Sequence, residues 1–250
     1  MKKTLQILLA GAGLALMTSP ALADAGLTAN VAVTSDYIFR GITQSAKKAA
    51  LQGGLDYDFG NGLAVGTWMS TIDFGDDSPM ELDLYGNYNF MIGALAASVG
   101  VYGYVYPSSG SGGPYDVFEL DGGISYSFGP VAWSAKANWA PSVPSGYLTV
   151  QQGNNPDSEF YLTTGLSVPV VDWLSVSGNL SYQGYTGLPT GAKDDSYAEW
   201  DLGATATWKI VSLDLRYIDT DTHTLASYTG NPFATGPFYV ATLTVRYTFP

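Results

Sequence analysis

Cysteine is absent from this 250-residue chain and histidine occurs once. The first absence excludes a disulfide framework, a thiolate zinc site and a cysteine nucleophile. The second leaves little for metal ligation or for proton transfer near neutral pH, so most enzyme classes lack the residues they need. Charge is scarce too, at 13% of residues against roughly 25% in typical soluble domains. Bases are the scarcer sign: 10 Lys and Arg stand against 22 Asp and Glu, a net charge of −12. Nucleic acid is thereby excluded as a partner, because phosphate binding needs clustered cations. No ligand motif for a metal and no cofactor fingerprint occurs, so neither is expected. After the first 20 residues no apolar run is long enough for a helical membrane span.

What is present begins with an export signal. Met1-Lys2-Lys3 is a short basic start, Leu5 to Met17 is apolar, and Thr18-Ser19-Pro20 breaks the run. Ala21 and Ala23 supply small residues at the −3 and −1 positions, so residues 1–23 read as a secretory signal peptide cleaved before Asp24. The alternative, an N-terminal membrane helix, needs about 20 apolar residues. Export leaves residues 24–250 as one domain outside the cytoplasm, and a membrane location then requires strands.

A period of two runs through almost all of that domain. Between Met80 and Phe90, Met80, Leu82, Leu84, Gly86, Tyr88 and Phe90 alternate with Glu81, Asp83, Tyr85, Asn87 and Asn89. Twelve such segments are expected, at 27–39, 50–59, 63–72, 80–90, 94–106, 117–128, 131–140, 158–168, 173–185, 197–208, 212–219 and 238–249. The pattern does not decide which way Trp68 points. Connections alternate as regularly as the strands. Those after even-numbered segments are short, such as Gly60-Asn61-Gly62 and Gly129-Pro130, and those after odd-numbered ones are longer and rich in Gly, Ser, Pro, Asp and Thr. A soluble sandwich mixes its connection lengths. Tight turns at one end and long loops at the other belong to an outer-membrane barrel.

The fold expected is therefore all-β: a transmembrane antiparallel up-and-down barrel of about twelve strands, with apolar side chains toward lipid. Aromatics on the apolar face cluster at strand ends, as interfacial girdles do. Phe59, Phe90, Phe128, Trp133, Trp208, Tyr247 and Phe249 are expected near the short turns. Tyr37, Phe118, Trp139, Phe160, Tyr182, Trp200, Tyr217 and Tyr239 are expected near the long loops. The final segment alternates up to Tyr247 and Phe249, like the closing strand of bacterial outer-membrane proteins, although Pro250 follows the aromatic. Such a protein lies in outer-membrane lipid and lipopolysaccharide of a Gram-negative bacterium. Its other partners are periplasmic chaperones, the barrel assembly machinery and small solutes.

Three stretches carry a family likeness. They are Leu27 to Ser45 with its Ser35-Asp36-Tyr37-Ile38-Phe39-Arg40-Gly41 block, Ala50-Leu51-Gln52-Gly53-Gly54-Leu55-Asp56-Tyr57, and Ser70-Thr71-Ile72-Asp73-Phe74-Gly75. Together they resemble the TorF family of proteobacterial proteins. The resemblance implies outer-membrane location and a pore, and brings no substrate or functional residue with it.

The polar face carries the candidate site. Glu81 and Asp83, Glu119 and Asp121, and Glu199 and Asp201 each begin a strand two residues apart on the inward parity, and Glu159 stands at a matching place. Seven carboxylates would form an acidic collar below the long loops, favouring cations and repelling anions. Counting back from the turns puts Lys136 diagonal to Asp121 and Arg216 diagonal to Asp201, within pairing reach. Arg40 and Arg246 are available to other collar acids. Tyr85, Tyr102, Tyr104, Tyr106, Tyr161, Tyr185 and Tyr197 point inward, either as stacking platforms or as filler. The function expected is passive diffusion of small hydrophilic solutes with a cation bias. A closed structural or adhesive barrel is the alternative, its acidic loops offering metal only without any recognisable ligand spacing. A barrel-embedded hydrolase would have to rely on His223, near Asp219, Asp221, Thr222 and Thr224.

Overall fold

Twelve antiparallel strands close on themselves in the computed structural model, which describes residues 25–75, 78–107, 116–142, 157–188, 196–222 and 235–249. The expected signal peptide and His223 lie outside these residues. The strands in chain order are β1 (Gly26–Thr34), β2 (Ile38–Phe39), β3 (Ile42–Thr43), β4 (Ala50–Asp58), β5 (Leu63–Thr71), β6 (Met80–Ile92) and β7 (Leu95–Val105). They continue as β8 (Val117–Phe128), β9 (Val131–Ala140), β10 (Ser158–Val171), β11 (Leu174–Thr186), β12 (Tyr197–Trp208), β13 (Val211–Thr220) and β14 (Phe238–Thr248). From β4 to β14 each strand pairs with its sequence neighbour, and β1 closes the ring between β14 and β4. Ala32, for instance, faces Thr244 on one side and Gln52 on the other. The pair β2–β3 stands apart from the wall as a small hairpin.

Turn chemistry follows from strand twist. Gly93-Ala94, Gly129-Pro130 and Lys209-Ile210 are two-residue links whose first residue has φ of 62°, 63° and 54°. A positive φ there matches the right-handed twist of the flanking strands. Glycine reaches it freely in the first two links, whereas Lys209 holds it against the steric preference of an L residue. Between β10 and β11 the expected break at Pro169 does not occur. The strand runs on to Val171 through a register shift between Pro169 and Val171, which accommodates a residue without an N–H to donate.

The wall has its polarity inverted relative to a soluble core. Leu84, Leu166, Leu180, Leu202 and Leu215 are exposed on the outside, while Ser98, Ser167, Ser177, Thr163 and Thr205 are buried on the inside. Exposed aromatics gather at the strand ends: Phe59, Phe128, Trp208 and Tyr247 by the short turns, Phe118, Trp139, Trp200 and Tyr239 by the long loops. One expected girdle member is misplaced. Tyr37 is 2% exposed and lies within the barrel, because β1 ends at Thr34 and not at residue 39.

Past Thr34 the chain turns into the lumen. Its hairpin tip, Arg40-Gly41, has φ of 49° and 74°, the paired left-handed geometry of a tight two-residue turn. Tyr37 joins Ala50, Ile72, Tyr104, Tyr106, Val117 and Ala140 in an apolar cluster inside the long-loop end. Phe39 and Trp68 pack against it, with the Tyr37 and Trp68 rings edge to face at 5.3 Å, so Trp68 points inward. Burying an aromatic side chain contributes on the order of 2 kcal/mol, so the hairpin docks firmly.

Candidate functional site in the barrel lumen

Asp36 begins the inward turn. Its carboxylate accepts from the Thr43 hydroxyl at 2.6 Å and the Ser45 hydroxyl at 2.9 Å, which ties the two ends of the hairpin together. Burial raises the Asp36 pKa above the ordinary range despite these bonds. Tyr37 donates its hydroxyl to Glu81 at 2.7 Å, and burial together with the Glu81 charge pushes the phenol well above its usual pKa.

Arg40 occupies the centre. One terminal nitrogen, Nη2, donates to both oxygens of Glu119 at 2.7 and 2.8 Å, and Nη1 donates to Gln183 at 3.2 Å. Glu159 Oε1 lies 3.6 Å from Nη1, beyond hydrogen-bond range. The guanidinium sits 4.5 Å over the Tyr161 ring and 4.8 Å over that of Phe39. Tyr104 and Asn138 also donate to Glu119, at 3.2 and 3.1 Å. Tyr197 holds the Arg40 carbonyl at 2.7 Å, and Tyr161 donates to Glu199 at 2.6 Å. Gly41 is pressed so closely into the wall that a Cβ there would stand 2.3 Å from Thr220 Cγ2.

Six of the seven collar acids thus meet a partner, and the seventh, Asp83, is buried on β6. Glu81, Glu119 and Glu159 are all but fully buried, and Glu81 and Glu119 hold the hairpin directly. Asp121 pairs with Lys136 at 3.2 Å, and Asp201 pairs with Arg216, both along the diagonals counted from the turns. Arg216 also binds Asp214 at 3.1 Å. Arg246 reaches Asp56 at 3.9 Å, an acid outside the seven. Asp56, Asp214, Gln183, Asn138 and Asn179 were not singled out from the sequence. The signal that would have found them is the inward parity of their strands.

The inward tyrosines stack on one another. Tyr85 and Tyr102 lie face to face at 5.0 Å, and Tyr102 and Tyr104 at 6.2 Å. The outer face of Tyr85 rests where a Cβ on Gly66 would fall 2.4 Å from its ring. Lys136 Nζ stands 4.7 Å from the Tyr102 ring centre. Protein groups thus pack against the rings in this row, which also lines the lumenal cavity. Beneath the hairpin a cavity of about 530 Å³ extends from Phe39 and Arg40 to Lys209 and Ile210 at the short-turn end.

A closed twelve-strand barrel with a polar lumen is the fold of the porins. It superposes on the KdgM porin in complex with disordered oligogalacturonate with a TM-score of 0.56, at 8% identity, over 90% of this chain and 99% of that one. The NanC porin gives the same TM-score of 0.56, identity of 8% and coverage of 90% and 99%. Likeness at this identity establishes the fold alone. By sequence the chain belongs to the Gcw_chp family, described as bacterial proteins of unknown function, which it matches over residues 19–249. No curated protein matches the sequence.

Proposed function

We propose that this protein is an outer-membrane channel for small hydrophilic solutes that favours cations over anions. The observation that carries the reading is the charge of the lumen. Among the described residues, the seven collar acids together with Asp56 and Asp214 outnumber the bases Arg40, Lys136, Lys209, Arg216 and Arg246 that line the lumen. Asp83 Oδ1 and Asp121 Oδ2 are buried without a hydrogen-bond partner among the described residues, while Asp121 Oδ1 pairs with Lys136. A low-dielectric wall focuses such a field and raises the local cation concentration. Diffusion down a gradient needs no cofactor and no reacting group.

The docked hairpin favours a second reading, a closed structural or adhesive barrel, since it lies across the lumen at the long-loop end. Planar-bilayer recording separates the two. A cation-favouring channel passes current whose reversal potential under a KCl gradient lies on the potassium side. Asp83→Asn with Asp121→Asn, which frees Lys136, moves that potential toward chloride. Silence at every voltage supports the closed barrel, and chloride preference in the unmodified protein rejects the cation bias.

A further inference from the structure

We propose that the seat of Arg40 is a binding site for guanidinium-bearing solutes, filled in this conformation by the chain's own side chain. The inference rests on reading the lumen as a cation-favouring path and names the cation class that path recognises. Three observations converge on it. First, the seat has the full complement of guanidinium recognition: the Glu119 carboxylate at 2.7 and 2.8 Å, the Gln183 carbonyl oxygen at 3.2 Å and the Tyr161 ring face at 4.5 Å. Planar donors, paired oxygens and an aromatic face suit guanidinium better than a compact ammonium.

Second, one buried carboxylate oxygen at the seat lacks a hydrogen bond. Glu159 is 2% exposed, and its Oε1 stands in an ion pair 3.6 Å from Arg40 Nη1 with no hydrogen-bond partner among the described residues. The other oxygen of Glu159 accepts from Gln183 at 3.3 Å, which fixes the carboxyl in that direction. Arg40 is tethered through a backbone held at φ of 49° and by Tyr197 on its carbonyl. A free guanidinium has no such tether and can reach both carboxylates. Third, Arg40 and Tyr161 are among the residues that line the 530 Å³ cavity, so space for a small solute lies beside the seat.

The test is chemical rescue in the full-length protein folded in detergent. Arg40→Ala removes the atoms beyond Cβ, and ethylguanidinium replaces them. Ethylguanidinium should raise the thermal midpoint of Arg40→Ala saturably, whereas sodium at equal ionic strength should not. Adding Glu119→Gln should abolish the rise. In bilayers the same probe should block the current of Arg40→Ala. A folded Arg40→Ala with no ethylguanidinium-specific shift overturns the proposal. Should Arg40→Ala not fold, Arg40→Lys takes its place. Its shorter reach leaves Glu159 unmet, so the probe should again raise its midpoint, and no rise overturns the proposal. A midpoint shift without current in any variant removes the channel reading and leaves the seat standing. Current without a midpoint shift does the reverse.

Discussion

Gly41 carries two constraints at once, a φ of 74° and a wall contact that leaves no room for a Cβ. Gly41→Ala is expected to destabilise the docked hairpin by about 1–2 kcal/mol from the left-handed backbone alone, before the clash with Thr220 is counted. Lower thermal midpoint and larger bilayer current together are the expected readout; an unchanged midpoint would contradict the packing described. Asp36 adds a pH dependence. Its folded pKa is raised, so the docked form binds the proton more tightly than the open chain does. Its contribution is fully present below the ordinary carboxyl range and is lost as pH rises through the raised value. Asp36→Asn keeps an acceptor for Thr43 and Ser45. The difference in midpoint between Asp36→Asn and the unmodified protein should therefore widen in favour of Asn as pH rises above the ordinary carboxyl range. A difference constant with pH would show that Asp36 does not titrate there. None of this was legible beforehand, because alternation continues past Thr34 and the sequence reads as strand to residue 39.

Strands and short turns were the readable part. The segments expected at 117–128, 131–140 and 197–208 match β8, β9 and β12 residue for residue. Their periodicity is local, and each is bounded by turn residues. The pairing of Lys136 with Asp121 was readable for the same reason, since register in a hairpin is counted from its turn. Lys209 is the exception that chemistry can correct. It holds φ of 54° where Gly93 and Gly129 serve the equivalent turns, and its amine sits 4.8 Å over the Trp208 ring. Relief of the left-handed backbone is worth about 1–2 kcal/mol, and the ring contact at an exposed site about 0.5–1. Lys209→Gly should therefore be stabilising by a few tenths to about 1 kcal/mol in urea titration. A clear loss of stability would mean that the ring contact outweighs the strain.

Over the whole barrel the decisive property is which face is apolar. Leu202 stands mid-strand in β12 and is 61% exposed. Leu202→Arg should cost about 2–4 kcal/mol for folding into lipid vesicles, whereas on a water-facing surface the same change would be nearly neutral. Folding yield at graded urea concentrations measures it, and a neutral result would mean that this face meets water.

The class was legible in the primary chain: a period of two, an even strand count and short turns alternating with long loops are local facts that point to a closed membrane barrel. The sequence also placed the acids on the inward parity, because in a strand position alone decides the face. What those acids do follows from long-range contacts. Arg40 meets Glu119 across 79 residues and Gln183 across 143, contacts that exist only once the wall has closed and its first long loop has folded back inside. No local pattern encodes a meeting across the lumen, since it depends on the curvature and closure of strands far apart in the chain.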